Sequence, residues 1–141
     1  MRAVWFAALL VGGLAACGET PPPECSTREM DETCLPQYVP TFDNVFANTI
    51  SANCGNDDNS CHSRSSASGL SFVDKASAYA NLIDDGYVVP GNPECSEMIV
   101  RITDTGEDYT MPTGDPLTES ERCALQQWVR MGAPGPAQDL Q

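Results

Sequence analysis

The sequence predicts a small all-α domain, and three observations lead to this fold class. Four stretches place apolar residues at helical spacing, alternation typical of β-strands is almost absent, and Gly- and Pro-rich segments separate the four stretches. A chain of 141 residues has room for one ordinary core. About a hundred residues of short helices and long loops need a further constraint, which disulfides, a cofactor or both can supply.

The first two predicted helices follow Pro40. TFDNVFANTISANC starts a helix with Thr41 as N-cap and ends it near Cys54, and DKASAYANLI gives a second, with the GLSF segment before it as a connecting loop. The predicted apolar faces are Phe42, Val45, Phe46, Thr49 and Ile50 in the first helix and Ala76, Tyr79, Ala80 and Ile83 in the second.

The third and fourth predicted helices have clear start signals. NPECSEMIVRI begins with Asn92 as cap and Pro93 in the first turn, and TESERCALQQWVRMG begins with a capping box from Thr118 to Glu121 and ends at Gly132. The predicted apolar residues are Cys95, Met98, Ile99 and Ile102 in the third helix and Ala124, Leu125, Trp128, Val129 and Met131 in the fourth.

The first sixteen residues have the layout of a secretory signal, because one positive charge precedes an apolar run and small residues. The run is shorter than the ~20 residues that cross a bilayer as a helix. Residues 14–17, Leu-Ala-Ala-Cys, resemble the lipobox of bacterial lipoproteins, in which the cysteine becomes the lipidated first residue. We therefore expect a signal peptide over 1–16 and a lipid anchor at Cys17; the alternative is ordinary cleavage after Ala16 with Cys17 left free.

Residues 17–40 are acidic, contain several prolines and lack apolar periodicity, so they are interpreted as a tether between the anchor and a domain over 41–134, with a C-terminal tail over 135–141. Export puts the six remaining cysteines in an oxidising compartment, where fifteen pairings are possible. Cys25 and Cys34 are close enough in sequence to form a local disulfide. Without the signal, six basic residues face twenty acidic ones, a net charge of −14 that disfavours nucleic acid and favours a basic partner, if one exists.

The stretch CGNDDNSCHS ends in Cys-His, as haem-attachment signatures do, but six residues separate Cys54 from Cys61. The inserted residues are turn formers, so the loop allows the two thiols to approach each other. Thiols that approach each other could equally form a disulfide, so the spacing alone does not distinguish a haem-attachment site from a disulfide loop. His62 is the only histidine of the chain and follows the second cysteine directly.

Met111 supplies a second candidate ligand, since it precedes Pro112 in a loop that can present its thioether to a metal. Together His62 and Met111 give the axial ligand set of cytochromes c. The alternative is a loop methionine that fills a gap in the core.

A set of segments from Phe42 to Pro134 resembles the cytochrome c-like domain of bacterial secreted proteins and lipoproteins, in the type with a lengthened Cys-His site. These segments are, in order, FDNVFANTISANC, CHSR, GLSF, SAYANLI, VVPGNPECSEMIVRI, MPTGDPLT and LQQWVRMGAP. The resemblance implies haem c held by thioether bonds to Cys54 and Cys61, with His62 as proximal and Met111 as distal iron ligand. It also implies that Trp128 packs near the haem. Cys95 and Cys123 lie outside that pattern and are predicted to bond each other.

The resulting hypothesis is a lipid-anchored monohaem electron carrier, not a catalyst, at the periplasmic or outer-membrane face of a bacterial envelope. It would pass single electrons to a redox partner protein and touch the membrane through its anchor only. The alternative is a haem-free, disulfide-stapled lipoprotein that binds or scaffolds. Zinc on Cys54, Cys61 and His62 lacks a fourth ligand at finger-like spacing, and a hydrolase lacks a second histidine.

Overall fold

The computed structural model describes residues 21–55, 61–64 and 69–137. The predicted signal peptide, Cys17 and most of the CGNDDNSCHS insert lie outside these residues. Within the described ranges the secondary structure is helical and contains no strand, which confirms the predicted all-α class. No helix in the described part of the chain has the length and apolar character needed to cross a bilayer.

Helix α1 runs over Phe42–Val45, continues through a π-helical turn over Phe46–Ile50 and ends with Ser51–Asn53. Its N-cap is Thr41, whose hydroxyl accepts the backbone N–H of Asn44, as the sequence predicts. Helix α2 covers Lys75–Asp84. α2 is capped by Asp74, whose carboxylate accepts the N–H of Ser77.

The third predicted helix is divided in two. A 3₁₀ turn over Pro93–Cys95 is followed by helix α3 over Glu97–Thr103. Helix α4 covers Glu119–Arg130, and both hydrogen bonds of the predicted capping box are present between Thr118 and Glu121.

The core forms where α1, α2 and α4 meet. Trp128 of α4 is fully buried, its ring centroid 5.2 Å from that of Phe42, and Phe42 also makes an edge contact with Tyr79 of α2 at 5.0 Å. The Trp128 indole donates to the carbonyl of Pro134, so the chain after α4 is held against the same cluster.

Two predicted apolar faces each include one exposed residue, although the other predicted residues of α4 are buried. α2 buries Ala78 and Leu82, whereas Ala76 is exposed, and Met131 at the end of α4 is 59 % exposed. A helix of ten residues with many small side chains fits more than one face, and tertiary packing decides between them.

The disulfides connect the N-terminal segment to the helices. Cys25 is bonded to Cys95 and Cys34 to Cys123, so the predicted pairs Cys25–Cys34 and Cys95–Cys123 are both wrong. The same four cysteines are used, but each bond joins positions 70 or 89 residues apart in sequence. Sequence proximity favoured a local pair that the fold does not form.

Residues 25–40 therefore differ from a freely extending tether. The backbone N–H of Ser26 donates to Glu94, that of Gln37 donates to Ser120, and Met30 is 8 % exposed. This segment covers the side of α4 that carries Cys123, which is why Cys123 is buried although it lies away from Trp128 on the helix. Helix α4 is thus buried on two sides.

Candidate functional site

A cavity of about 260 Å³ opens between α3, the loop before α2 and the loop after α3. Three of the predicted haem-site residues, Cys54, His62 and Met111, lie in its wall. These positions are up to 57 residues apart in sequence, so the fold itself brings them together. The other lining residues are largely apolar or aromatic: Leu70, Phe72, Leu82, Tyr87, Glu97, Met98, Arg101 and Ile102.

His62 is held by the segment that follows it. Its Nδ1 lies 3.1 Å from the carbonyl oxygen of Leu70, its own carbonyl accepts the N–H of Phe72 at 3.0 Å, and its ring packs on the Phe72 ring with centroids 4.7 Å apart. Since a carbonyl only accepts, this contact places the proton on Nδ1 and the lone pair on Nε2. An imidazole fixed in this tautomer by a backbone carbonyl is the form that binds a metal through Nε2.

The electrostatic surroundings of His62 favour the same neutral form. Burial lowers the pKa of His62; the bond to Leu70 opposes this effect, and the positive charge of Arg101 adds to it. The ring therefore stays neutral at pH 7, as a metal ligand must be.

Cys54 reaches the cavity because Gly55 permits a close contact. A Cβ at Gly55 would lie 2.4 Å from the carbonyl oxygen of Phe72 and 2.6 Å from its Cβ. Only glycine allows the end of α1 to approach the Phe72 backbone so closely. The residue that follows Cys54 thereby packs directly on the residue that supports His62.

The Cys54 side chain is a free thiol in this structure. Burial raises its pKa to about 11, and the Glu121 carboxylate adds to the rise. Cys61 is engaged in a disulfide. Because Cys54 is free, the structure contains no Cys54–Cys61 bond, which is the bond that the haem-free alternative expects.

Met111 enters the cavity wall from the loop that follows α3. Its backbone N–H donates to the Arg101 carbonyl at 2.9 Å, which fixes the loop to the helix. The Arg101 guanidinium also donates from Nη1 to the carbonyl of Tyr109 at 3.1 Å. Arg101 thus holds the methionine loop through both its backbone and its side chain.

Arg101 and Glu97 are the charged residues among those that line the cavity. Arg101 Nε donates to Glu97 Oε1 at 2.8 Å, one helical turn away, and the Arg101 side chain is 17 % exposed. The guanidinium lies in an otherwise largely apolar wall, and its N–H groups can donate hydrogen bonds to an anionic group in the cavity.

The structure does not bring Trp128 to the cavity, because its ring lies in the core against Phe42. Conversely, sequence reasoning missed Gly55, Phe72 and Arg101. The GLSF segment carried one usable signal, since its Leu and Phe are apolar residues in a supposed loop. Nothing local marked Gly55 or Arg101.

Residues 59–115 match the family described as planctomycete cytochrome C. This match supports a cytochrome c-like domain. It covers less than half of the chain, and it includes Cys61, His62 and Met111 but not Cys54. No curated protein and no solved structure matches the chain.

The donors that line this cavity fit a haem. One imidazole nitrogen, one thioether sulfur, a largely apolar wall and one guanidinium converge on a single cavity. No three His, Cys, Asp or Glu side chains cluster as metal ligands in the described part of the chain, so zinc gains no support there. At about 260 Å³ the cavity is slightly smaller than the ~300–1,000 Å³ of most ligand sites.

Proposed function

We propose that this chain is a lipid-anchored monohaem c-type cytochrome that transfers single electrons in a bacterial cell envelope. The cytochrome c-like family match supports a haem-binding electron carrier, not a catalyst. The observation that carries the finer proposal is the placing of His62 and Met111 in the wall of one cavity, with the His62 Nδ1 proton directed to a backbone carbonyl.

His62 Nε2 and the Met111 sulfur would bind the iron. When bound, the haem supplies a one-electron Fe³⁺/Fe²⁺ couple, and a thioether ligand raises the potential of that couple. The Leu70 carbonyl keeps the imidazole oriented, and the apolar residues of the wall exclude water from the metal.

Cys54 and Cys61 would hold the haem covalently, each by addition of its S–H across one vinyl group. Cys61 is in a disulfide in this structure, so its attachment would first need a dithiol reductant that converts this disulfide to the thiol and is itself oxidised to a disulfide. The reactive species is the thiolate, and a Cys54 pKa of about 11 makes the folded, haem-free thiol a poor nucleophile at pH 7. Attachment through Cys54 would therefore be favoured before this thiol is buried.

Arg101 would pair with a carboxylate substituent of the haem. A carboxylate that enters an apolar cavity needs a cation or several donors, and Arg101 is the cationic side chain in the wall. The Glu97 bond keeps the guanidinium at the cavity when no second anion is present.

The proposed anchor, partner and location are supported by the sequence alone. Lipidation at Cys17 would attach the protein to the membrane without a spanning helix, at the periplasmic or outer-membrane face. The strongly acidic chain favours a redox partner that presents a basic surface.

The test is an absorption spectrum of the protein purified from a host with cytochrome c maturation, recorded oxidised and then reduced with dithionite. Denaturation in alkaline pyridine follows. We expect a sharp reduced α band and haem that stays with the denatured polypeptide. A Met111→Ala variant keeps the haem but loses the methionine-to-iron charge-transfer band in the far red and has a lower reduction potential.

The matched control is Met131→Ala, because Met131 is 59 % exposed and lies outside the cavity wall. This variant keeps the far-red band. A colourless protein in which Cys54 and Cys61 are bonded to each other would reject the cytochrome proposal in favour of the haem-free, disulfide-stapled lipoprotein.

A further inference from the structure

Asp104 is a buried carboxylate that belongs to no part of the cavity wall. It follows α3 directly and is 2 % exposed. Its Oδ1 accepts the hydroxyl of Ser26 at 2.7 Å and its Oδ2 accepts the hydroxyl of Tyr109 at 3.2 Å. A buried carboxylate is retained only where such partners offset its desolvation.

One side of Asp104 faces the N-terminal segment. Besides Ser26, the Arg28 Nε lies 3.8 Å from Oδ1, and Arg28 Nη2 donates to the carbonyl of Thr105 at 2.8 Å. The Ser26 N–H donates to Glu94, next to the Cys25–Cys95 disulfide. The donors that reach Asp104 from this side are therefore covalently tied to the helical body.

The other side of Asp104 faces the loop that carries Met111. The Thr110 hydroxyl donates to the Asp104 carbonyl at 2.7 Å, and Tyr109 binds the carboxylate. Both residues immediately precede Met111, whose N–H is held by the carbonyl of Arg101 in the last turn of α3. Asp104 thus links the disulfide-bonded N-terminal segment to the two residues in front of the predicted distal ligand.

We propose that Asp104 is a positioning residue for Met111, which holds the methionine loop against the clamped N-terminal segment so that the thioether stays directed at the iron. This inference rests on the proposed haem function. It assigns a role to residues 25–28 that a mere tether would not have. Loss of the Asp104 bonds frees the loop and shifts the equilibrium toward a form in which Met111 is detached.

The first test compares Asp104→Asn with Asp108→Asn in the haem-loaded protein. Asp108 is exposed in the same loop, so the control makes the same charge change without touching the bonds to Ser26 and Tyr109. We expect Asp104→Asn to keep covalent haem in the pyridine assay, to weaken the far-red methionine band and to lower the reduction potential. Asp108→Asn keeps the band.

A second pair of variants avoids a folding defect that the substitution of the buried Asp104 could cause. Tyr109→Phe removes only the hydroxyl that binds Asp104, and Tyr79→Phe removes a hydroxyl that donates to Ala133 in the core. Loss of one hydrogen bond corresponds to about a fivefold rise in the detached form. We expect faster binding of cyanide to the ferric iron by about that factor in Tyr109→Phe only. Equal rates and an intact far-red band in Asp104→Asn and Tyr109→Phe would overturn the positioning role.

Hydrogen exchange of haem-free protein separates this inference from the proposed function. We expect the Thr110 and Met111 amides to exchange about fivefold faster in Tyr109→Phe than in the parent or in Tyr79→Phe. If the parent carries haem but these readouts do not change, the positioning role fails and the cytochrome stands. If the parent never carries haem, the cytochrome proposal fails, and with it the role toward iron, whatever the exchange rates show.

Discussion

Two sides of this small domain are held by different means. On the stapled side, residues 25–40 are bonded to Cys95 and Cys123 through disulfides that close loops of 70 and 89 residues. On the cavity side Cys61 is also disulfide-bonded, but the orientation of the His62 ring that follows it depends on the Leu70 carbonyl, an aromatic contact and the packing of Gly55 on Phe72. Covalent links supply stability, whereas the site depends on the fit of a few atoms. The two sides should therefore respond differently to substitution.

The largest expected effect lies on the stapled side. Replacing both Cys34 and Cys123 by Ala removes a link between positions 89 residues apart, and we expect the free energy of unfolding to fall by about 2–5 kcal/mol. Urea unfolding in non-reducing buffer measures the loss. Haem per chain at low temperature should not change, since neither residue lines the cavity. A parallel loss of haem would show that the Cys34–Cys123 disulfide also stabilises the cavity.

On the cavity side, Gly55→Ala should be the most damaging small change. The added methyl would lie 2.4 Å from a backbone oxygen, so either the end of α1 or the Phe72 segment must shift. We expect the free energy of unfolding to fall by about 1–3 kcal/mol, together with less covalent haem, because Cys54 moves with Gly55.

Gly114→Ala is the matched control for that substitution. Apart from its chain neighbours, no atom lies within 4 Å of the position that a methyl group at Gly114 would occupy, and its φ is not positive. Both readouts should therefore match those of the parent. If the two alanine variants behave alike, the close contact with Phe72 does not shape the site.

Sequence reasoning succeeded where the determinants are local. The caps at Thr41 and Thr118 and the helices that they begin depend on residues within one turn, so the pattern of side chains specifies them directly. The Cys-His pair and the Met-Pro loop mark His62 and Met111 as candidate ligands, and both line the cavity; their role as ligands stays a prediction.

The failures concern relations between distant positions. Proximity predicts the Cys25–Cys34 pair, and their position outside the family pattern predicts the Cys95–Cys123 pair, but each disulfide joins the N-terminal segment to a helical turn far along the chain. The cavity residues Gly55 and Arg101 matter because of which segment lies opposite them, and a single sequence contains no signal for that arrangement. Even the segment interpreted as a tether owes its order to partners at Glu94, Asp104 and Ser120.

The Cys54 thiol offers a smaller effect on the cavity side. With a folded pKa of about 11 against an ordinary value of 9.0, the haem-free protein holds about a hundredfold less thiolate at pH 7 than an ordinary cysteine would. We expect iodoacetamide to alkylate Cys54 slowly in the folded protein and fast in urea. Peptide mass spectrometry measures the extent of alkylation. The unfolded chain ionises first as pH rises, so the free energy of unfolding should fall between about pH 9 and 11, and Cys54→Ser should remove this component. Rapid alkylation of the folded protein at pH 7 would show that the thiol is accessible.

The smallest expected effect is the titration of His62, which can be measured cleanly because the chain has one histidine. Burial lowers the pKa of His62 below its ordinary value of 6.5, with the Arg101 charge acting in the same direction. The unfolded chain therefore binds the proton first as pH falls, so stability conferred by the neutral ring is present above pH 6.5 and is lost as pH falls through the folded pKa.

Proton NMR of the imidazole in haem-free protein should show a midpoint below 6.5, and Arg101→Gln should move it upward by removing the nearby cation. Arg122→Gln is the control, because Arg122 belongs to α4 and donates to the carbonyl of Leu117 instead of lining the cavity. A midpoint at or above 6.5 in the parent would mean that the His62 ring is solvated. The packing around His62 would then not orient the ring as described for the cavity side.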